Sequence, residues 1–233
     1  MANKLFYSSK GMENAVNYNR WTYEQFSDYI RGDVLEVGCG VGSFTDLILK
    51  GGGFRKLLSI DMSAEAISYC KKRFKHTSLE LKCMDVMHIN SKFDLVICMN
   101  VLEHLKDDGN ALRHMFSLLN DRGVLFLLVP AHKFLFSSFD ELGGHYRRYT
   151  RKDILTLIRN NVSMPSLYID QYYFNLVGAI GYYFTYKIIR KQPRIAASSE
   201  ISLYDKLIVP LQKRFACRMV PFGISLITII RKG

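Results

Sequence analysis

Cysteine is scarce in this sequence, and none of the cysteines has a CxxC spacing. The five are Cys39, Cys70, Cys83, Cys98 and Cys217. An odd number without paired spacing argues against a disulfide framework and against a cysteine-based metal cluster. It is typical of reduced thiols, so we predict a cytoplasmic protein that binds no metal.

Long apolar runs are also missing. Residues 1–21 contain no stretch of the length that a signal peptide needs, so export is not expected. One later segment, Phe174 to Ile189, approaches the lower bound for a membrane span, but it contains Asn175, two glycines and several tyrosines. We therefore predict a buried or interfacial helix there. Its tyrosines either pack under a lid or across a homodimer contact, or the helix rests on an anionic membrane surface as a peripheral contact.

Acidic residues are few in the last part of the chain. Residues 130–233 hold 16 Lys/Arg and 6 Asp/Glu, a balance of +10, whereas residues 1–129 hold 16 and 15, a balance of +1. A one-sided basic surface attracts nucleic acid, anionic lipid or a phosphorylated substrate, and charge alone does not separate these partners from a simple solvated face.

Short β-rich runs alternate with segments of helical spacing. The runs cover residues 34–37, 56–60, 79–84, 93–98, 124–129, 166–173 and 224–230. Helical spacing occurs at Phe44, Leu47 and Ile48, and again from Ala111 to Leu119. This alternation predicts an α/β, doubly wound, mostly parallel sheet with helices on both faces, in which the last run is an antiparallel partner.

Two segments interrupt the alternation. Residues 130–165 hold Pro130, Gly143 and Gly144 among aromatic and basic groups, which is typical of loops over an active site. Residues 175–221 also leave the sheet. At 233 residues the chain suits one domain. We predict a cofactor-binding core at about 30–130, a helical cover on the acceptor side inserted at about 131–222, and a last strand at about 223–231.

The most specific motif lies at the end of the first predicted strand and has the sequence Glu36-Val37-Gly38-Cys39-Gly40-Val41-Gly42. Glycines allow a tight turn and a close approach of ligand to backbone, and the next helix offers free N–H groups. The dinucleotide fingerprint GxGxxG needs glycine at position 43, where Ser43 stands.

Acidic residues end the next two strands. Asp61 lies 19 residues after Gly42 and can accept hydrogen bonds from ribose hydroxyls. Asp85, beside Val86, is placed to accept from the amine of an adenine. Either residue alone is equally consistent with a turn.

Together these residues resemble the class I S-adenosylmethionine-dependent methyltransferases. The likeness covers about 130 residues, from the motif LEVGCGVGSFT through Asp61, Asp85 and Asn100-Val101-Leu102-Glu103-His104 to the Arg122-Gly123 turn. It implies a seven-stranded sheet with an antiparallel last strand, S-adenosyl-L-methionine as cofactor, and Glu36 beneath the glycine loop. Asn100 stands where relatives often have aspartate. A looser likeness links the ends of the chain to bacterial enzymes of envelope glycan or lipid-carrier metabolism.

The resemblance and the residue chemistry together give the predicted site. The cofactor residues are Glu36, Gly38, Cys39, Gly40, Gly42, Asp61, Met62, Asp85, Val86, Asn100 and Val101. Candidate bases for removing the acceptor's proton are His104, His132 and His145. Candidate contacts to an anionic acceptor are Tyr18, Arg20, Tyr146, Arg147 and Arg148. His104 is equally consistent with a core or helix-capping role, and Tyr146, Arg147 and Arg148 with a charged surface.

Two absences disfavour nucleic acid as the acceptor. The Asn/Asp-Pro-Pro-aromatic motif that holds a flipped base is replaced by Met99-Asn100-Val101-Leu102, and Cys98 lacks the preceding proline of cytosine C5 enzymes. We predict methyl transfer to an O or N nucleophile of a small molecule or of a carrier-linked glycan or lipid. The alternatives are a non-catalytic regulatory or scaffolding protein that binds the cofactor and, less favoured, a nucleic-acid methyltransferase or an NAD-linked oxidoreductase.

Overall fold

The computed structural model describes residues 13–162, 167–190, 202–214 and 220–233. The strands are β1 (Gly32–Val37), β2 (Phe54–Asp61), β3 (Leu79–Cys83), β4 (Phe93–Met99), β5 (Leu119–Pro130), β6 (Leu167–Phe174) and β7 (Ser225–Lys232). The α-helices of the described residues are α1 (Val16–Tyr23), α2 (Ser43–Gly51), α3 (Ala64–Arg73), α4 (Asp108–Ser117), α5 (Ser138–Gly143), α6 (Arg151–Asn161), α7 (Leu176–Tyr183) and α8 (Val209–Arg214).

The strands form one sheet in the order β3-β2-β1-β4-β5-β7-β6. β7 pairs antiparallel with both β5 and β6, and the other strands run in one direction. The predicted doubly wound α/β sheet with an antiparallel last strand is therefore confirmed. The order reverses direction between β1 and β4, so their carboxyl ends border the crevice in which such sheets bind ligands.

A hydrophobic core lies on each face of the sheet, and alternate residues of the strands contribute to the two cores. Leu35 and Val96 belong to one core with Leu112 of α4 and Ile158 of α6, because successive side chains of a strand point to opposite faces. Val34, Leu95 and Ile97 belong to the other core with Trp21 of α1 and Ile48 of α2. Both faces are thus covered, as a mostly parallel sheet requires.

The structure corrects two boundaries. Leu119 is not the last helical position but the first residue of β5, which pairs with Phe93 before an irregularity in the register. Residues 130–165 are not only loops, because α6 occupies Arg151–Asn161. The Thr150 and Asp153 side chains form a capping box at its start, a pattern that is readable in the sequence.

The late apolar segment divides into a strand end and a helix. Phe174 ends β6, and Asn175 caps α7, which continues as a single turn of π-helix over Phe184–Ile188. A second helical segment, a π-helical turn over Tyr204–Ile208 followed by α8, lies near it, with Tyr204 donating to Asn175 Oδ1 at 2.7 Å. Among the described residues, no helix is long and apolar enough to cross a membrane. Lys191, Arg194 and Cys217 lie outside the described residues.

Candidate active site

The glycine motif forms a tight loop between β1 and α2. Gly38, Gly40 and Gly42 all have positive φ, at 78°, 52° and 78°. A β-carbon on Gly38 would lie 2.3 Å from Val101 Cγ2, and one on Gly42 would lie 2.5 Å from the Phe74 ring. Glycine is therefore required both by the backbone conformation and by the close packing of the loop.

Asp61 ties this loop to the end of β2. Its Oδ2 accepts from Gly40 N at 2.8 Å, and its Oδ1 accepts from Ser63 N at 2.8 Å. Each carboxylate oxygen can accept a further hydrogen bond, so the half-buried group can still receive ribose hydroxyls. The predicted pair of glycine loop and acid is thus brought together.

Glu36 lies beneath the loop. Its side chain is 2% exposed, and its Oε2 accepts from Thr45 Oγ1 at 2.6 Å and from Ser59 Oγ at 2.7 Å. Burial raises the pKa of this carboxyl, while the two hydroxyls oppose that shift. Glu36 therefore links the strand to the first turn of α2 and positions the loop.

The remaining predicted cofactor residues line the same edge of the sheet. Asp85 caps the short turn after β3 by accepting from Met87 N at 2.9 Å, and Val86 is buried next to it. Met62 is 65% exposed after β2, and Cys39 is buried inside the glycine loop. Asn100, after β4, has a φ of 52°, a left-handed conformation that asparagine tolerates better than most residues.

His104 and His145 meet beyond the end of β4. Their rings lie 4.7 Å apart, edge to face, although the residues are 41 positions apart in the chain. Tyr146 N donates to Glu103 O at 2.8 Å, which holds the two segments together. Burial, and then the nearby His145, lower the pKa of His104 to about 4, so its ring is neutral near pH 7.

A buried ionic network holds His145 in place. Its Nδ1 lies 2.8 Å from Asp140 Oδ1, which also accepts from Arg148 Nε at 2.8 Å. Tyr182 of α7 donates to Asp140 Oδ2 at 2.8 Å. Burial alone would raise the pKa of Asp140, but the hydrogen bond from His145 and the charge of Arg148 lower it to about 2. Asp140 is therefore an anion that orients the imidazole.

Glu103 is the unusual member of this group. It is 0% exposed, and neither carboxylate oxygen has a hydrogen-bond partner in the described part of the chain. Burial raises its pKa to about 7, and the nearby His145 limits the rise. The oxygen Oε1 lies 4.0 Å from His145 Nε2, too far for a hydrogen bond.

His132 lies apart from these two histidines. Its ring stacks between Tyr173 and Phe222, with ring centroids at 4.4 and 4.2 Å. Burial lowers its pKa, and its Nε2 has no hydrogen-bond partner among the described residues. It therefore forms part of an aromatic wall after β5.

The predicted acceptor contacts are dispersed. Tyr146 is exposed, and Arg147 pairs with Asp108 at 2.7 Å. Arg148 is 4% exposed, so its charge serves the Asp140 network inside the fold. On α1, Arg20 is exposed and Tyr18 is packed 6.0 Å from the Phe174 ring.

Sequence reasoning did not select Asp140, Glu103 or Tyr182. Asp140 precedes His145 by five residues, across the short helix α5, and the Ser137-x-x-Asp140 capping pattern is its only local signal. Glu103 lies within the motif Asn100–His104, but nothing local in the sequence shows that its carboxylate is buried.

Comparisons with known proteins agree with this geometry. A family model described as a methyltransferase domain matches residues 18–167. The chain is 32% identical over 124 residues to a malonyl-[acyl-carrier protein] O-methyltransferase of Acetivibrio thermocellus, which covers 52% of this chain and 42% of that protein. It is 27% identical over 137 residues to a ubiquinone biosynthesis O-methyltransferase of Coxiella burnetii, covering 56% and 58%. The chain thus spans about half the length of these curated relatives.

Solved structures share the fold at low identity. The plantazolicin methyltransferase BamL, crystallised with a triazolic desmethylPZN analogue and S-adenosylhomocysteine, has a TM-score of 0.61 at 15% identity, covering 96% of this chain and 86% of that one. The N-methyltransferase NodS of Bradyrhizobium japonicum, in complex with S-adenosylhomocysteine, has a TM-score of 0.55 at 17% identity, covering 91% and 86%. Since the family model covers more than half of the sequence, the chain belongs to the methyltransferase-domain family.

Proposed function

We propose that this chain transfers a methyl group from S-adenosylmethionine to an oxygen or nitrogen nucleophile of a small molecule or of a carrier-linked glycan or lipid. The observation that carries the proposal is the anchoring of Asp61 to Gly40 N in a loop that accepts no β-carbon at Gly38. A glycine loop with an acid beside it suits a ligand that packs against the backbone and carries vicinal hydroxyl groups.

The chain's own residues fit the cofactor along the sheet edge. The loop Gly38–Gly42 would contact its amino-acid end, Asp61 its ribose, and Asp85 with Val86 its adenine. Asn100 and Val101 would border the methionine part, while Glu36 positions the loop through Thr45 and Ser59. When bound, the cofactor supplies a methyl group on a positively charged sulfonium, so the protein's contribution is mainly alignment.

The acceptor would enter on the side of His104 and His145. His104 follows β4 and His145 follows α5, and both side chains are half-buried. Val101, which borders the glycine loop, precedes His104 by three residues. An imidazole held by a carboxylate, as His145 is held by Asp140, is the arrangement that removes a proton from a hydroxyl or amine. His132, within the aromatic wall after β5, is the alternative base.

A methyl-transfer screen tests this function. Cell lysate is incubated with the protein and labelled S-adenosylmethionine and then split into lipid, glycan, small-molecule, protein and nucleic-acid fractions. We expect label in the small-molecule, glycan or lipid fraction. Cofactor binding without transfer to any fraction would support the non-catalytic alternative, and label in nucleic acid would contradict the assigned acceptor class. Tighter binding of a nicotinamide cofactor in a parallel titration would favour an oxidoreductase.

A lipid-linked acceptor would also require contact with a membrane surface. Outward apolar side chains recur along the two late helical segments, and we name them the late apolar surface: Val177, Ile180, Phe184, Ile188, Leu203, Leu207 and Leu211. Lys187, Lys206 and Lys213 accompany them. Tyr182 and Tyr186 take the other side and pack against Phe139. Apolar side chains with basic neighbours suit an anionic bilayer, and a second copy of the chain is the competing occupant.

A further inference from the structure

Three side chains that could bind a metal ion converge at the acceptor side of the sheet. Glu103, His104 and His145 each offer one ligand atom, and these atoms all lie within 4.8 Å of one another. The group is assembled from two segments, a short turn after β4 and the loop after α5. No sequence spacing reveals it, because 41 residues separate the two histidines.

The buried carboxylate is an independent sign of a missing partner. Glu103 is fully buried, and both of its oxygens are without a hydrogen bond in the described part of the chain. Burying a carboxylate without a hydrogen bond or a counter-charge is costly, so such groups are paired or coordinate metals. His145 Nε2, at 4.0 Å from Glu103 Oε1, is too distant to satisfy it.

Both imidazoles are oriented to leave a ring nitrogen available. His145 Nδ1 faces the carboxylate of Asp140, an acceptor, so this nitrogen carries the proton and Nε2 keeps its lone pair. His104 Nδ1 faces Gly144 O at 3.4 Å, which assigns the proton to Nδ1 in the same way. A carboxylate or a carbonyl behind the imidazole is the outer shell that protein metal sites employ.

We propose that Glu103, His104 and His145 bind one divalent transition-metal ion, of which Zn²⁺ fits best. Two imidazole nitrogens and one carboxylate oxygen form the ligand set of catalytic zinc sites, which keep a further position open for water or substrate. In a tetrahedral site the ligand atoms lie about 3.3 Å apart, so the three side chains would close in slightly on binding. This proposal departs from the expectation, based on cysteine spacing, that the protein binds no metal.

The open position would face the acceptor, and this step rests on the proposed function. An acceptor hydroxyl bound there would have a lowered pKa and would lose its proton to solvent. Its oxygen lone pair would form the new C–O bond, while the electrons of the C–S bond would stay on the donor sulfur. One proton is released for each methyl transferred. His104 and His145 would then act through the ion and not as free bases.

Cobalt binding tests the site without relying on turnover. Protein stripped with a chelator is titrated with Co²⁺, and the visible absorption of the ion is recorded. We expect saturation at one ion per chain, displacement by Zn²⁺, and affinity lowered by about 10-fold or more in Glu103→Gln and in His145→Ala. The exposed His88 gives the matched control, since His88→Ala should bind like the parent protein. A Cys83→Ser background excludes binding through the exposed thiol.

Two further measurements separate the possible failures. Circular dichroism establishes whether each variant is folded. If His145→Ala does not fold, the isosteric variant Glu103→Gln alone tests the metal site. Calorimetry with S-adenosylmethionine on the same stripped samples tests the proposed function separately, so either proposal can fail while the other stands. The metal site is refuted if the parent protein shows no saturable Co²⁺ binding, or if both variants bind as the His88→Ala control does.

Discussion

Gly38 and Val101 approach so closely that a β-carbon on Gly38 would lie 2.3 Å from Val101 Cγ2. The two residues lie just after β1 and β4, the strands at which the sheet order reverses. Their contact brings the glycine loop against the segment that leads to His104. A cofactor bound along the loop therefore lies next to the acceptor side, which in-line methyl transfer requires.

This contact predicts how the methyl group of an alanine at position 38 would affect cofactor binding. Gly38→Ala should weaken S-adenosylmethionine binding by about 10-fold or more, because the loop must move to relieve the clash. Gly52→Ala is the matched control: Gly52 also has positive φ, at 67°, but a β-carbon there meets nothing within 4 Å. Calorimetry should find parent-like affinity in the control. Equal losses in both variants would assign the effect to general backbone strain.

Asp61 should be the main polar contact to the ribose. Asp61→Ala removes an acceptor for the hydroxyls and also releases Gly40 N, so we expect a loss of about 1 to 3 kcal/mol in cofactor binding. Asp33→Ala is the control, since Asp33 lies at the opposite end of the sheet and pairs with the exposed Arg55. Unchanged affinity in both Asp61→Ala and Gly40→Val, measured by calorimetry, would refute the cofactor assignment.

The sequence was informative where neighbouring strands end. Gly38, Asp61 and Asp85 lie at or just after the ends of consecutive strands, and parallel strands bring their carboxyl ends to one edge, so their proximity is predictable. Glu103 and His145 were not predictable as neighbours, because α5 and its left-handed Gly144 return the chain over the edge. The burial of Arg148 is not predictable for a similar reason, because its partner Asp140 lies across that turn and belongs to no sequence motif shared with it.

Turnover should depend on the paired histidines. His104→Ala and His145→Ala are each expected to lower methyl transfer by about 10²-fold or more, with cofactor affinity near that of the parent protein. Labelled-donor kinetics across a pH series measure the rate, and His88→Ala is the control. Parent-like rates in both variants at every pH would move the role to His132 or leave alignment as the whole mechanism.

Contact with anionic lipid should follow charge at the late apolar surface. Vesicle co-sedimentation should increase with the anionic lipid fraction and decrease with added salt, since each basic group near such a surface contributes about 1 kcal/mol. Lys206→Glu should weaken binding by several-fold. Lys56→Glu makes the same charge change at the opposite end of the sheet and should have a smaller effect. No binding at low salt, together with a dimer in light scattering, would assign this surface to a second copy of the chain.

Asp153 predicts a pH-dependent contribution to stability. Its Oδ2 accepts from Thr150 N and Oγ1 at 2.9 and 2.7 Å at the start of α6, and Lys133 Nζ lies 2.7 Å from Oδ1. Partial burial raises the pKa of this carboxyl, but Lys133 and Thr150 outweigh that effect and lower it. A carboxyl whose pKa is lower in the folded state stabilises the fold above its unfolded pKa, near 3.9, and loses that contribution as the pH falls further.

Asp153→Asn should therefore lower the free energy of unfolding by about 1 kcal/mol at pH 7, and the difference from the parent protein should shrink below about pH 4. Urea denaturation at several pH values measures it. Asp121→Asn is the control, because that side chain is 93% exposed beside Lys232 and its loss should change stability by less than about 0.5 kcal/mol. An undiminished difference at pH 3 would mean that α6 depends on the shape of the Asp153 side chain and not on its charge.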